Sequence, residues 1–301
     1  MRDLHLRLPA SSANLGPGFD SLAIALKVYL NIDASETAAF GIEATGRDAA
    51  ICGAAEGNLL VDTYRAVLAA NGRDFVAIRL MIRNEIPLGM GTGSSAAARL
   101  AGVALASHFG RLEWSRERIL SEAARMEGHP DNVAACWLGG FVASAWDGGE
   151  VRAVSIAPPR EWRAVIVIPN RPLATRLARA VLPGSYSRQD TVANVQSVAL
   201  LTAAFATGRA DVIARAMQDR IHQPFRAEVC PLLPRLLPLA GRDGIAGVAL
   251  SGAGPSVLLL TVSESAARQG MELATAELGS ENEVEFLTCE LENDASLAES
   301  G

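Results

Sequence analysis

The chain has 301 residues, half of them apolar, enough for one large domain or two ordinary ones with real cores, which excludes disordered and fibrous classes. No run approaches the roughly 18 to 20 continuous apolar residues that a membrane crossing needs, and Met1 to Ser12 lacks the apolar core of a signal peptide, so a cytoplasmic protein without membrane partners is expected. A formal charge of −6 argues against nucleic acid as a partner, because neutralising phosphates takes a concentrated basic face, and any anionic ligand must meet a local site.

His5 to Pro9 and Leu22 to Ile32 read as strands, and Leu59 to Ala70 as a helix stopped by Asn71-Gly72. Ile78, Leu80 and Ile82 alternate with Arg79, Met81 and Arg83, a half-buried strand that runs into a Gly-rich turn after Pro87. An Ala-rich helix is expected from about Ser94 to Phe109. Ser115 caps another, whose apolar positions Ile119, Leu120, Ala123 and Met126 keep a helical period until Gly128 and Pro130 break it. The chain then reads as hairpin strands, Phe141 to Trp146 and Val151 to Ile156, around Asp147-Gly148-Gly149. Pro158-Pro159 marks the expected boundary between an N-terminal domain, 1–158, and a C-terminal one, 159–301.

Beyond it, Ala164 to Ile168 reads as an apolar strand, followed by helices over about Thr175 to Leu182 and Thr191 to Ala206. A βαβ-like tail comprises Ile245 to Leu250, Val257 to Val262, a helix over about Glu264 to Leu278, and Val284 to Cys289. Strand runs mixed with helix runs predict the α+β class. The acidic end after Asn293 is expected to be a loose tail. Cys52, Cys136, Cys230 and Cys289 lie far apart without metal-ligand spacing and read as buried thiols in a reducing compartment.

The strongest local signal is Pro87-Leu88-Gly89-Met90-Gly91-Thr92-Gly93-Ser94-Ser95-Ala96-Ala97, three glycines in five residues between a strand and a helix. Glycines let backbone N–H groups approach phosphate oxygens, and the helix start adds unpaired donors with a partial positive charge. Lys27 is the only lysine among 27 basic residues and sits far from this turn, so a triphosphate would be cradled without a phosphate-loop lysine. Ser94 would cap the helix and Ser95 offer its hydroxyl to Mg²⁺, which takes a few oxygen ligands besides phosphate and water. The loop alone fits equally a plain turn into a Ser-capped helix.

Three segments in order resemble the GHMP kinases, the superfamily of galactokinase, homoserine kinase, mevalonate kinase and phosphomevalonate kinase. They are Pro9-Ala10-Ser11-Ser12-Ala13-Asn14-Leu15-Gly16-Pro17-Gly18-Phe19-Asp20, the Gly-rich loop, and Ser251-Gly252-Ala253-Gly254-Pro255-Ser256. Asn14, Asp20, the stretch Glu127-Gly128-His129-Pro130-Asp131-Asn132, Thr175, Arg179, and Arg226 after Gln223-Pro224-Phe225 resemble homoserine kinases in particular. The pattern covers nearly the whole chain. It implies a two-domain GHMP kinase fold: an N-terminal α+β domain with a left-handed βαβ unit, against the general rule for crossovers, and a ferredoxin-like C-terminal domain, with ATP between them. It further implies ATP- and Mg²⁺-dependent phosphorylation of L-homoserine to O-phospho-L-homoserine, a step of threonine biosynthesis, by a homodimer.

Carried over residue by residue, the resemblance places ATP on Asn58 and the loop 87–97. It places the substrate on Asn14, Asp20, His129, Asn132, Thr175, Arg179, Arg226 and Gly252. Guanidinium forks at Arg179 and Arg226 suit a carboxylate, while Asp20 and Asn14 suit an ammonium. Glu127 would join Ser95 around the metal, with Glu122 as its alternative. Asn132 falls where mevalonate-type relatives have an aspartate that could act as base. An amide cannot take a proton at neutral pH, so in-line attack without a dedicated base is expected, with Asn132, Ser95 and Glu127 in the catalytic roles. Taken singly, these residues keep plainer readings: Asp20 capping its turn, Asn58 capping a helix, His129 structural, Glu127 or Glu122 a solvated helix-face charge, and Ser251 to Ser256 a strand-to-strand turn. A kinase for another small alcohol, or a catalytically silent nucleotide-binding relative, remains the alternative function.

Overall fold

The computed structural model describes residues 2–279 and 283–300, so Met1 and Gly301, the outer ends of the two expected domains, lie outside it. The first half runs β1 (Asp3–Asn14), β2 (Gly18–Glu36), β3 (Gly41–Gly46), α1 (Ala49–Cys52), α2 (Leu59–Ala70), β4 (Ile78–Asn84), α3 (Ser94–Phe109), α4 (Arg116–Glu127), α5 (Asp131–Leu138), β5 (Phe141–Ala145) and β6 (Arg152–Ile156). The second runs β7 (Arg163–Pro169), α6 (Thr175–Ala180), α7 (Arg188–Thr207), α8 (Ile213–Ala216), α9 (Gln223–Arg226), α10 (Leu232–Leu236), β8 (Ile245–Leu250), β9 (Val257–Thr261), α11 (Glu264–Leu278), β10 (Val284–Glu290) and β11 (Leu297–Ser300). Position 158 falls between β6 and β7.

One sheet has the order β11-β1-β2-β4-β3, with β5 on β2 and β6 on β5. The length of β2 explains this branching, since its first part pairs with β5 and its last part with β4. β1 continues past Pro9, where the expected strand stopped, because a register shift at Pro9/Ala10 lets the ladder with β2 resume as far as Asn14. β3 and β4 are parallel and joined through α1 and α2, a βαβ unit. The other sheet has the order β10-β7-β9-β8, antiparallel throughout. β9 and β10 are therefore not neighbours, as a simple βαβ tail implied; β7 lies between them, in the split arrangement of ferredoxin-like domains.

Two expectations are corrected. The acidic end is not loose: β11 pairs with β1, Arg7 opposite Leu297 and Leu4 opposite Ser300, so residues 297–300 join the first sheet. An open edge of β1 would leave a row of unpaired N–H and C=O groups, and β11 covers it. The stretch after Pro130, read as entering a hairpin, first forms α5. Pro130 sits at its N-cap, where a missing N–H costs nothing, and Val133, Ala134, Ala135, Cys136 and Trp137 are buried.

The helices of the first half pack on that sheet. α3 is buried almost all round, and at Gly102 an added Cβ would lie 2.6 Å from the carbonyl of Leu60, so glycine there lets α2 and α3 touch through their backbones. Alternation along β7 serves two cores. Val165 and Val167 face Leu232, Leu236 and Ala267, whereas Ile166 and Ile168 join Leu201, Phe205 and the first-half core. That shared core fixes the two sheets against each other and so fixes the cleft between them. Among the described residues no helix is long and apolar enough to cross a membrane.

Candidate active site

A cleft of about 380 Å³ opens where the β1–β2 turn, the starts of α2, α3 and α6, the end of α4 and the 252–254 turn converge. Asn14, Asp20, Asn58, Leu88, Gly89, Gly91, Gly93, Ser94, Ser95, Glu127, His129, Asn132, Thr175, Arg179, Arg226 and Gly252 all line it.

The Gly-rich loop is held by contacts that only glycine permits. Gly91 has φ +77°, and a Cβ there would lie 2.3 Å from the Ser251 carbonyl oxygen; at Gly93, φ +73°, it would lie 2.1 Å from Ser11 Oγ. Thr92 braces the loop from behind: its Oγ1–H donates to the Pro87 carbonyl (2.8 Å), and its own carbonyl accepts from Ser11 N–H (3.1 Å). Five residues of the expected ATP-binding stretch are not among those that line the cleft. Thr92, Ala96 and Ala97 are buried in the packing beneath it, and Pro87 and Met90 border a separate depression beside Arg47 and Glu285. Ser94 is not the helix cap either; Gly93 occupies that position, and Ser94 Oγ accepts from Gly89 N–H (3.4 Å) instead.

Asn58 does what the plainer reading proposed. Its Oδ1 accepts from Leu60 and Val61 N–H, capping α2, and its Nδ2 donates to the Cys52 and Ala54 carbonyls. The cap closes one side of an apolar recess off the cleft, walled by Leu30, Cys52, Leu60, Ile82, Ile86 and Leu88. Sequence reasoning missed this recess, although the alternation of β4 already placed Ile82 on a buried face.

At the end of α4, Glu127 Oε1 accepts from Ser95 Oγ–H (2.5 Å) and Oε2 from Arg99 Nε–H (2.6 Å). Glu122 pairs with Arg125 (2.6 Å), and the cleft residues do not include it, which separates the two candidates. A hydroxyl and a carboxylate side by side at the mouth of a Gly-rich loop are hard oxygen donors that fit Mg²⁺. Beyond the αL cap at Gly128, His129 Nδ1 lies 2.6 Å from Asp131 Oδ1. Burial disfavours charge on His129, but the hydrogen bond and charge of Asp131, with Glu127 and Asp20 further off, lift its pKa above the ordinary value. Asn132 Oδ1 accepts from Ser11 Oγ–H (2.9 Å), so Ser11 fixes the amide's orientation.

The other end of the cleft carries opposed charges. Asp20 is held with φ +55° by its N–H bond to Asn14 Oδ1 (3.1 Å), and Asn14 Nδ2 donates to the Gly252 carbonyl (2.8 Å). The Asp20 carboxylate receives both Nη groups of Arg179 (2.6 and 3.0 Å). Burial works against the Arg179 charge, yet these bonds more than offset it, and its pKa is raised. Arg226 is 1% exposed. Its Nε donates to the Ala178 carbonyl (3.1 Å) and its Nη1 to the Gly252 carbonyl (3.3 Å) and His222 Nδ1 (3.1 Å). Among the described residues, no carboxylate lies within ion-pair distance of it; burial, then the Arg179 charge, lower its pKa. Both guanidinium groups lie 5.3 to 5.4 Å from the Phe19 ring centre. Thr175, at the start of α6, lines the cleft beside them.

A phosphate-sized loop at a helix start, an oxygen-rich pair beside it and a charged pocket facing both define a small-molecule kinase built on two sheets. Residues 58–140 match the GHMP kinases N terminal domain and residues 201–272 the GHMP kinases C terminal domain. A homoserine kinase from Solibacter usitatus is 52% identical over 256 residues, 85% of this chain and 84% of that protein. One from Deinococcus radiodurans is 43% identical over 260 residues, 85% of this chain and 84% of that protein. The crystal structure of a homoserine kinase from Cytophaga hutchinsonii aligns with a TM-score of 0.81 at 26% identity, over 98% of this chain and 97% of that one. The chain belongs to the homoserine kinase family of the GHMP kinases.

Proposed function

We propose that the chain transfers the γ-phosphate of ATP to the side-chain hydroxyl of L-homoserine, giving ADP and O-phospho-L-homoserine, a precursor of threonine. The observation that carries the substrate assignment is Arg226, buried with no carboxylate partner among the described residues, next to an Asp20–Arg179 pair. A buried charge is costly unless an opposite charge reaches it. An amino-acid zwitterion brings both signs: its ammonium takes the place of Arg179 on Asp20, and its carboxylate supplies the anion that Arg179 and Arg226 then share. A sugar or a plain alcohol supplies neither.

With the zwitterion so clamped, the side-chain hydroxyl points toward Asn132 and the loop. The N–H groups of the loop and of the first turn of α3 receive the phosphates, and the apolar recess behind Asn58 suits the adenine ring. Ser95 and Glu127 would hold Mg²⁺, which when bound neutralises phosphate charge. Ser11 keeps the Asn132 carbonyl oxygen engaged, and one Nδ2–H leans on Asp131 at 3.5 Å. The other Nδ2–H is left to hold the attacking hydroxyl oxygen in line. The hydroxyl proton is not abstracted before bond breaking, as a loose phosphoryl-transfer transition state permits; it leaves late, onto an oxygen of the transferred phosphoryl group as the bond to ADP breaks. Family resemblance further supports a cytoplasmic homodimer, which light scattering at twice the chain mass tests.

The clamp is tested by turnover of two trimmed substrates. 2-Amino-1,4-butanediol lacks the carboxylate and 4-hydroxybutanoate the ammonium, and both are expected to lose at least about a hundredfold in kcat/KM, since each forfeits charged hydrogen bonds of about 1.5–3 kcal/mol apiece. Either analogue matching L-homoserine would overturn the substrate reading.

A further inference from the structure

His222 has no part in the substrate contacts above, yet it lies in the fully buried layer that carries them. It is 0% exposed and stacks on Phe19, ring centres 5.3 Å apart. Its two ring nitrogens face chemically different partners. Nε2 lies 2.8 Å from the carbonyl oxygen of Gly16, a group that can only accept, so Nε2 carries the hydrogen. Nδ1 lies 3.1 Å from Nη1 of Arg226, a group that can only donate, so Nδ1 carries the lone pair. The neighbours therefore select one neutral tautomer. A protonated ring would set an N–H against a guanidinium N–H and place two cations in contact inside the protein.

We propose that His222 is a positioning residue for Arg226: its Nδ1 lone pair, fixed by the Nε2–H bond to Gly16, holds Nη1 so that the rest of the guanidinium fork faces the substrate carboxylate. This rests on the reading of Arg226 as a carboxylate clamp. Two acids act on the ring: Asp219, whose carboxylate lies 3.6 Å from Nε2, and more weakly Asp20; Asp219 already accepts N–H bonds from Ile221, His222 and Gln223. Its pull toward ring protonation is outweighed by burial, with Arg226 adding to it, so the ring stays neutral well below the ordinary histidine range. Phe19, packed on His222 and within reach of both Arg179 and Arg226, gives the fork a flat wall. The Gly16 carbonyl ties the arrangement to the β1–β2 turn, from which Asn14 and Asp20 also project.

Two substitutions separate positioning from packing. An asparagine at 222 can place Oδ1 where Nδ1 stood and keep an acceptor for Arg226. A glutamine reaches the Nε2 position, keeps a donor for Gly16 and leaves Arg226 Nη1 only its longer bond to the Gly252 carbonyl (3.3 Å). For His222→Gln the KM for L-homoserine is expected to rise about tenfold or more, the value of a hydrogen bond to a charged group, with the KM for ATP within threefold. His222→Asn is expected to recover most of that loss. Equal homoserine KM values for the two variants, or a matching rise in the KM for ATP, would reduce His222 to packing and overturn the proposal. Arg226→Leu, measured alongside, tells the two readings apart. An unchanged homoserine KM in that variant sinks the clamp itself, whereas a large rise with no effect of His222→Gln sinks only the role of His222. Should neither His222 variant fold, ¹⁵N spectra of the unaltered protein decide. The expected result is a neutral ring with hydrogen on Nε2 between pH 5.5 and 8, and hydrogen on Nδ1 would overturn the proposal.

Discussion

Replacing Arg226 by methionine keeps the bulk of the side chain and removes the charge. In the structure, Nε and Nη1 are taken by the Ala178 and Gly252 carbonyls and His222 Nδ1, which leaves Nη2 as the arm for a ligand. A charge-assisted bond from that arm to a carboxylate amounts to about 1.5–3 kcal/mol, or roughly 10- to 10²-fold in kcat/KM for L-homoserine. The effect on folding is expected to be small. Three buried acceptors lose a partner at about 1–3 kcal/mol each, while removal of a buried charge without a carboxylate partner returns several kcal/mol. The assay is ADP release with homoserine varied at saturating ATP, paired with thermal unfolding. The expected outcome is a collapse of kcat/KM, an unchanged KM for ATP and a melting temperature within a few degrees of the parent. A well-folded Arg226→Met that turns over homoserine within threefold of the parent would mean that Arg226 does not hold the substrate carboxylate.

Gly91→Ala forces a Cβ to within 2.3 Å of the Ser251 carbonyl at φ +77°, so the variant should be less stable by about 2 kcal/mol or more and show a raised KM for ATP; unfolding curves and ATP titration check both. Glu127→Gln should raise the Mg²⁺ concentration needed for half-maximal activity by about tenfold, whereas Glu122→Gln should leave it alone. Asn132→Asp keeps the acceptor for Ser11 but swaps the Nδ2 donor for a negative charge beside the phosphates, so kcat should fall about tenfold or more at pH 7.5; normal turnover would point to a base after all. His222, pushed down to about 4 by burial and then by Arg226 against Asp219, stays neutral in the folded chain while the unfolded chain binds a proton near pH 6.5. Its contribution is complete above about pH 6.5 and lost as pH falls toward 4, by up to about 1.4 kcal/mol per pH unit. Denaturant titrations at pH 7 and 4.5 should show this loss in the parent and its absence in His222→Asn.

What the sequence revealed depended on how local each signal was. The alternation of Ile78 to Arg83, the cap at Asn58 and the glycines between β4 and α3 are readable within a few residues, and those elements formed as expected. β11 was hidden because its pairing depends on the edge of β1 at the far end of the chain, while its own acidic composition reads as solvated. α5 was hidden by Gly128 and Pro130, which end one helix but also permit the next to begin. Arg226 could be singled out among so many arginines only through the resemblance, because its burial comes from Ala178, His222 and Gly252, each set by the tertiary fold. The hydrogen bonds that Ser11, Arg99 and His222 make around the cleft were missed for the same reason. The loop residues Thr92, Ala96 and Ala97 show the converse: a motif names a segment, and only the packing decides which of its side chains are buried beneath the cleft.

Purified protein incubated with ATP and Mg²⁺ reveals its acceptor when ADP release is followed with L-homoserine, L-threonine, L-serine, mevalonate and galactose in parallel. Strong turnover of L-homoserine is expected, with O-phospho-L-homoserine as product, and little with the others. Turnover of mevalonate or galactose in preference to L-homoserine, or ATP binding without turnover of any of them, would contradict that expectation.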